Sequence, residues 1–431
     1  PFKSDSSLAI DVAYLSLERL AKDGLIEVPS SAASPASTAD FRSARGAKQQ
    51  AASAAHHKFF LERPRDLVQE FVLFKLENAY WLQAHAEFQV LRGRYGYDFT
   101  RWPAEFRNPS ALALSELRRK ESLALESAEF EQFLLHRQWA DLRSYAHARG
   151  IGIIGDMPLY VGRYSADVWA NRVAFWLDSD GNALKVSGYP PCNFYRDGQL
   201  WDTPVYNWGG LKRSGYLFWV NRLKRNFALY DVVRLDHFMG LHQFYAVDAG
   251  KPHARDGQWM PADGAGMLRE VRSRLGTVPL VAEDLGAGVP KAVHRLRQRF
   301  GIPGMRIAQF GYDLKDGDPY HRTDNFEAGY VAYPGNHDMP TLAQWIQEAG
   351  GGESHWIKLG ALYGSKANTV VVSAQDLLGL GADARMNVPG TWATATDPAH
   401  RRQNWTWRLL PSALDARVEG ALEAQMKDAK R

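Results

Sequence analysis

The sequence predicts an α/β protein built on a parallel-stranded (β/α)8-type barrel, with a mainly helical segment inserted before residue 150. From Gly150 onward, short apolar runs alternate with helical stretches, a pattern typical of a parallel sheet with crossover helices. Before Gly150, apolar residues instead recur at the spacing of amphipathic helices. Carboxylates follow most of the apolar runs, and the active site of such a barrel lies at that end of its strands.

The segment before residue 150 contains three helical patterns and one ambiguous stretch. Residues 8–23 have helical apolar spacing and stop at Gly24, which favours a short helix with a glycine C-cap. Residues 29–57 are rich in Ser, Ala and Gln, and indicate either a linker or a loosely packed Ala-rich helix. Residues 67–91 and 126–149 predict two long amphipathic helices.

Six apolar runs predict the parallel strands that follow. They cover residues 151–154, 231–235, 279–282, 305–310, 330–333 and 369–373. Four acidic residues come directly after these runs or within a few residues of them: Asp156, Asp236, Glu283 and Asp338. Because the carboxyl ends of barrel strands meet at one mouth, we expect these side chains to converge there.

Composition argues against several classes of protein. Lys and Arg number 52 against 48 Asp and Glu, a net charge of +4 without a dense basic run, so nucleic acid is not expected as a partner. No run approaches the roughly 18 apolar residues of a membrane span, and no export signal is visible. The single cysteine, Cys192, favours a reducing compartment, so we expect a cytoplasmic protein. The His and Cys pattern predicts no metal site, and Gly150–Gly155 matches G-x-G-x-x-G without the strand that a dinucleotide site requires before it.

Aromatic residues make up 12% of the chain, which suggests a large flat ligand surface of the kind that suits sugar rings. They are concentrated in residues 188–208, a segment too broken by Pro and Gly to be a helix. Its aromatic residues, which include Phe194, Tyr195 and Trp201, are therefore candidates for a sugar-binding surface. The alternative is a satellite hydrophobic cluster beneath a long loop.

The carboxylates have the residue types that glycoside chemistry requires. Arg234 and Asp236 share one face of a strand, and a neighbouring cation favours the ionised carboxyl that a nucleophile needs; a structural ion pair is the alternative. Glu283 ends an apolar run, which would raise its pKa as a general acid requires; a helix N-cap, the alternative role, suits Asp284 better. With Asp338, these acids form the minimum set for a retaining reaction.

Several motifs together resemble those of the 4-α-glucanotransferases of the amylomaltase, or disproportionating enzyme, family, which is related to the α-amylases. The motifs occur in family order over residues 151–408, with a weaker match through AYWLQAHAEFQVLRGRYG. They are GDMPLYV, SADVWAN, GYPP, GQLW, PVYNW, VVRLDHFMG, VAEDLG, GNHD, MNVPGT and NWTWRL.

The resemblance implies an enzyme without a cofactor or metal that moves a segment of one α-1,4-glucan to the 4-hydroxyl of another. It implies that Asp236 is the nucleophile, Glu283 the acid/base and Asp338 the stabiliser of the transition state. Arg234 and His337 would contact the nucleophile and the sugar hydroxyls, and Asp156 would support the −1 pocket. Starch, glycogen or maltooligosaccharides would be the substrates.

The chain also departs from the family pattern. The family's GTHDN is replaced by Gly335–Met339. The resemblance implies that residues 188–208 are the acceptor-side lid, with Phe194 and Tyr195 at its tip. This lid reads PPCNFY where PPDYFS is usual, so we expect acceptor recognition to differ from that of the family. Residues 1–4 align after the family's second barrel strand, so we expect the first two strands to be missing. On this basis residues 1–28 are a barrel segment, 29–149 the helical insertion and 150–431 the catalytic barrel.

Two alternatives to a transferase remain at this point. A hydrolase of the same superfamily would use the same carboxylates, because water and a sugar hydroxyl attack the same intermediate. A non-catalytic glycan-binding protein would keep the aromatic surfaces but would not need all three acids. Products formed from one short maltooligosaccharide distinguish them: longer and shorter glucans, only shorter ones, or none.

Overall fold

A computed structural model describes residues 4–27, 36–191, 196–286, 289–312, 319–389 and 404–430. The chain divides into two compact units, one of residues 1–30 and 44–301, the other of residues 31–43 and 302–431. Among the described residues, no helix has both the length and the apolar character that crossing a membrane requires.

In chain order, the helices are α1 Leu17–Lys22, α2 Phe41–Glu62, α3 Arg65–Asn78, α4 Leu82–Tyr95, α5 Ala104–Arg107, α6 Ala111–Lys120, α7 Ser122–His147, α8 Ala166–Ala170, α9 Trp208–Arg213, α10 Leu217–Leu229, α11 Gly264–Leu275, α12 Lys291–Arg299, α13 Leu342–Glu348, α14 His355–Tyr363, α15 Ala374–Leu377 and α16 Ala416–Asp428. The strands are β1 Ile154–Met157, β2 Lys185–Tyr189, β3 Gln199–Pro204, β4 Val232–Leu235, β5 Gln243–Asp248, β6 Gln258–Pro261, β7 Leu280–Ala282, β8 Gly304–Ile307, β9 Tyr330–Tyr333 and β10 Thr369–Val370.

The first helix is shorter than the sequence predicts. Residues 8–15 contain only a 3-10 turn, Val12–Tyr14, and α1 begins after Ser16, whose hydroxyl accepts a hydrogen bond from the backbone N–H of Arg19. This side-chain cap fixes the start of the helix at Leu17, after the 3-10 turn has ended. At the other end Gly24 has φ +70°, the left-handed conformation expected of a glycine C-cap.

Two other helical predictions are resolved by the structure. The ambiguous stretch 29–57 includes the first part of α2, so its later half is the Ala-rich helix. The single helix predicted over 67–91 is wrong, because the chain breaks between α3 and α4. Asn78 causes the break: its side chain donates to the carbonyl of Phe74 and accepts from the indole N–H of Trp81.

The parallel strands lie in both units. In the first unit, β4 pairs with β1 on one side and with β7 on the other, with Arg234 opposite Asp156 and Leu235 opposite Ala282. In the second unit, β9 pairs with β8 and β10. The strand predicted at 151–154 begins later, at Ile154, because Gly150 and Ile151 complete the C-terminal cap of α7. Two other predicted strands are also shorter. In the run 305–310, strand β8 ends at Ile307, and in the run 369–373, strand β10 contains only Thr369 and Val370.

A four-stranded antiparallel sheet, ordered β3-β2-β5-β6, was not predicted from the sequence. The end of β2 and all of β3 fall within the segment 188–208 that the sequence predicts as a loop. Their pairing has an irregular register between Val186 and Gly188. A Cβ at Gly188 would lie 2.4 Å from the carbonyl oxygen of Gln199, so the close strand approach requires glycine there.

Candidate active site

Asp236 lies directly after β4, a buried strand between two parallel neighbours. The apolar residues of Val232–Leu235 suit a strand covered on both faces. The backbone N–H of Asp236 donates to the carbonyl of Met157 at 3.0 Å, which extends the pairing with β1 by one residue. The side chain therefore begins at a fixed position on the carboxyl end of the strand and is 28% exposed.

Arg234 links two of the predicted carboxylates. Its side chain is 9% exposed; Nη1 lies 2.7 Å from Oδ1 of Asp156, and Nη2 lies 3.0 Å from Oδ1 of Asp236. The predicted shared face of Arg234 and Asp236 is thus confirmed. Although burial opposes the charge, the negative charges of Asp236, Asp156 and Glu283 raise the pKa of the guanidinium above its usual range. Arg234 is a permanent cation at this end of the strands.

Asp156 lies within β1 and not after it, which corrects the predicted position. The difference follows from the later start of the strand. Its side chain is 47% exposed and reaches the site through Arg234, its register partner on β4.

Glu283 follows β7, and its carboxyl is held by two backbone N–H groups. Oε2 accepts from His237 at 2.8 Å and Oε1 accepts from Leu285 at 3.2 Å. Burial and the negative charge of Asp236 raise the pKa of Glu283 to about 8, while Arg234 and the hydrogen bond from His237 oppose the shift. Glu283 consequently holds a proton at neutral pH, as a general acid must.

Asp284, the acid next to Glu283, does not cap a helix. Asp284 was expected to suit a helix N-cap, but Pro290 occupies the N-cap of α12 and Asp284 is buried against that helix instead. Its Oδ2 accepts from Nε of Arg297 at 2.8 Å. The prediction of an N-cap at Asp284 is wrong because α12 begins only at Lys291, several residues further along the chain.

Asp338 belongs to the second unit, in the turn after β9. Its Oδ1 accepts from Nδ2 of Asn387 at 2.6 Å, and its carbonyl accepts from Nη2 of Arg385 at 2.8 Å. Nε2 of His337 lies 3.5 Å from Oδ2 of Asp338. The convergence of Asp338 with Asp236 and Glu283 stays a prediction.

The predicted lid residues have different outcomes. Phe194 and Tyr195 lie outside the described residues. Trp201 lies in β3, with its ring centroid 5.0 Å from that of His237. Tyr206 and Trp208, from the same segment, are buried. For these two the alternative of a hydrophobic cluster describes the structure better than a ligand surface.

Sequence reasoning assigned no role to three residues that contact the candidate carboxylates. His237 has a left-handed backbone, φ 49°, that directs its N–H to Glu283, and burial lowers its pKa to about 4, so the ring is neutral. Arg385 and Asn387 hold Asp338. The available signal for Asn387 was the motif MNVPGT, which contains it and for which no function was predicted. Within the described ranges, no group of three His, Cys, Asp or Glu side chains could hold a metal ion.

Comparison with known proteins supports the predicted resemblance. A family model described as 4-alpha-glucanotransferase matches residues 1–413. The 4-alpha-glucanotransferase of Synechocystis sp. is 35% identical over 445 residues, 98% of this chain and 86% of that protein. That of Thermus thermophilus is 34% identical over 456 residues, 100% of this chain and 88% of that protein.

A solved structure agrees with the sequence matches. Amylomaltase from Streptococcus agalactiae, in complex with acarbose, superposes with a TM-score of 0.90 at 28% identity, covering 100% of this chain and 89% of that one. The predicted fold class, α/β with a (β/α)8-type barrel, is confirmed. Both the matching family model and the extent of these similarities show that the chain belongs to the 4-alpha-glucanotransferase family, enzymes that transfer α-1,4-glucan segments.

Proposed function

We propose that this protein transfers α-1,4-glucan segments by a retaining double displacement, with Asp236 as nucleophile and Glu283 as acid/base. The observation that carries the proposal is the different environment of the two carboxyls. Asp236 contacts a permanent cation, Arg234, whereas burial and the charge of Asp236 keep Glu283 protonated. Two carboxyls in such different environments suit a nucleophile and a general acid.

In the first step, Asp236 attacks the anomeric carbon of the donor while Glu283 gives its proton to the glycosidic oxygen. The bond between that oxygen and the anomeric carbon breaks, the shortened glucan leaves with a free 4-hydroxyl, and a glycosyl ester of Asp236 remains. A spacing of about 5 Å between the two carboxyls, with no room for a water, would suit this attack.

In the second step, Glu283 acts as a base. Once Asp236 is an ester it no longer carries a negative charge, and this charge is one cause of the raised pKa of Glu283. Formation of the intermediate therefore lowers the pKa of Glu283 and prepares it to take the proton of an acceptor 4-hydroxyl. The acceptor oxygen attacks the anomeric carbon and releases Asp236, which gives a new α-1,4 bond.

The remaining predicted residues have supporting roles in the proposal. Arg234 orients Asp236 and stabilises its carboxylate as the leaving group of the second step. Asp156 holds Arg234 from the other side and presents its exposed oxygen to the sugar. Asp338, held by Asn387, and its neighbour His337 bind hydroxyls of the distorted sugar.

The lid residues are proposed to bind the acceptor. Trp201 is partly exposed, and it packs against His237, the residue after the nucleophile. We place Phe194 and Tyr195 beside the acceptor because of their motif position alone. An acceptor stacked on these rings would reach the intermediate before water does, since positioning gives a large effective concentration.

The proposed substrates are maltooligosaccharides and starch- or glycogen-type glucans, with the cytoplasm as the compartment. The nearly balanced charge, 52 basic against 48 acidic residues, supports a neutral ligand over nucleic acid. The single cysteine supports a reducing compartment.

Purified protein incubated with maltotriose tests the reaction. Transfer yields glucose together with longer glucans; shorter products alone would indicate a hydrolase, and unchanged maltotriose a binding protein. NMR should show that the new glycosidic bonds have the α configuration, as should any reducing ends formed by hydrolysis before they mutarotate. A covalent glycosyl group located on Asp236 by mass spectrometry in Glu283→Gln, loaded with α-maltosyl fluoride, would support the double displacement; β-configured products would refute it.

A further inference from the structure

A buried ion pair lies directly next to Glu283 in the chain. The side chain of Asp284 is 0% exposed and that of Arg297, on α12, is 5% exposed. Nε of Arg297 donates to Oδ2 of Asp284 at 2.8 Å, and Nδ1 of His294, one helical turn earlier, lies 3.2 Å from the same oxygen. The residue after the proposed acid/base is thus fixed to α12.

Packing alone does not explain this pair. Removing two charges from water costs several kcal/mol per ion, and well-packed apolar residues often stabilise a buried site as well or better. The helix has such a residue one turn before Arg297, the fully buried Val293. The stability of the fold alone therefore does not require charged residues at this position.

The charges around Glu283 indicate that role. Asp236 and Asp284 raise its pKa and Arg234 lowers it. Asp284 in turn faces Arg297 and His294. With Arg297 present, the charge of Asp284 is largely balanced, so its effect on Glu283 depends on the ion pair.

We propose that Arg297 is a positioning residue, which through Asp284 fixes the backbone at Glu283 and sets the pH at which the acid/base loses its proton. The inference rests on the proposed role of Glu283. The contacts behind the inference do not depend on that role. The buried ion pair lies beside Glu283, and both belong to the first unit.

The test is the basic limb of the pH profile of kcat/KM with maltotriose, which reports loss of the acid in the free enzyme. Asp284→Asn keeps the shape of the side chain but removes the negative charge that lies beside Arg297 and next to Glu283. We expect the basic limb to move to lower pH by about one unit. Arg297→Gln removes one positive charge from beside Asp284, whose negative charge then acts more strongly on Glu283, so the limb should move to higher pH.

The double variant Asp284→Asn/Arg297→Gln removes both charges, so its basic limb should return close to that of the wild type. Arg297→Lys, which keeps the charge, should also retain the wild-type limb. As a matched control, Arg295→Gln removes an exposed cation from the same helix and should leave the limb in place. A purely structural role would lower activity in all buried variants without opposite shifts.

An unmoved or raised limb in Asp284→Asn, or the same limb in the single and double variants, would overturn the inference. Failure of the proposed function is separate: it would appear as near-normal maltotriose activity in Glu283→Gln. If Glu283→Gln is inactive but the limbs do not move, only the role of Arg297 is refuted.

Discussion

The backbone N–H of His237 donates a 2.8 Å hydrogen bond to Oε2 of Glu283, so the residue after the proposed nucleophile holds the proposed acid/base. The contact is possible because His237 has a positive φ of 49°, which few residues other than glycine adopt. A residue in this strained conformation thus joins the backbone next to the proposed nucleophile to the side chain of the proposed acid/base.

Asp236→Asn should lower turnover by a factor of about 10⁴ or more, because the amide is nearly isosteric but is not nucleophilic. Initial rates with maltotriose measure the effect, and circular dichroism checks the fold. A variant with a tenth of wild-type activity would contradict the assignment.

Asp231→Asn is the matched control for that prediction. Asp231 lies at the opposite end of the same strand, where hydrogen bonds from Arg143, His147 and the N–H of Ile153 hold its pKa below the usual range. We expect turnover within about a factor of three of the wild type, since the side chain serves the fold and not the reaction. Losses as large as those in Asp236→Asn would show that the assay reports folding.

Glu283→Gln should lose transfer from maltotriose but retain formation of the intermediate from α-maltosyl fluoride, because fluoride leaves without a proton. For the same reason, the rate of fluoride release should lack the basic limb that the wild type shows with maltotriose. Persistence of this limb in the variant would assign it to another group.

The same substitution should stabilise the folded protein at alkaline pH. The pKa of Glu283 rises from its ordinary 4.5 to about 8 on folding, so near pH 4 folded and unfolded chains both hold the proton. As pH rises toward 8, only the unfolded chain releases it, which favours unfolding. Glu283→Gln should therefore melt about 2 °C or more above the wild type at pH 8 and close to it at pH 4. A lower Tm at pH 8 would show that burial does not raise this pKa.

Arg234→Lys should lower kcat by at least about tenfold, because one ammonium cannot occupy both guanidinium positions against Asp156 and Asp236. The loss should appear in kcat more than in KM, since the contact acts on the nucleophile. A variant with wild-type kcat would leave Arg234 a structural role only.

Phe194→Ala should weaken transfer more than donor cleavage, and so raise the share of hydrolysis, because an acceptor that is not held competes poorly with water. Free glucose released per new α-1,4 bond measures the ratio. Tyr14→Ala, which removes an aromatic ring that is 70% exposed, should leave the ratio unchanged. An unchanged ratio in Phe194→Ala would refute the lid assignment.

The parallel strands were predictable because each contains a short apolar run, and their acids because a carboxylate lies at or near the end of four of the six predicted runs. The ends of the strands were less predictable than their existence. The C-terminal cap of α7 uses Gly150 and Ile151, which the sequence pattern assigns to the start of β1. The antiparallel sheet was missed because its strands contain Gly and Pro, whose turn signals outweighed a weak strand pattern.

Contacts between distant residues set the other limit. Asn387 holds Asp338 from 49 positions along the chain, a pairing that no local periodicity reports. Distant contacts also determine the pKa of Glu283. The sequence predicts a carboxyl in an apolar mouth, but the size of its pKa shift depends on Asp236 and Arg234, which only the fold brings near.

In the proposed function, the antiparallel sheet β3-β2-β5-β6 carries the acceptor lid, and the parallel strands carry the chemistry. Asp236 and Glu283 follow β4 and β7, which pair with each other in the parallel sheet. The strands β2 and β3 belong to the separate antiparallel sheet. Residues 190–198 connect β2 and β3 and lie outside the strands that carry the proposed nucleophile and acid/base. Natural variation and directed evolution should therefore change which glucans are joined far more readily than how the bond is made, and exchange of this hairpin between relatives is the natural starting point for altering product length.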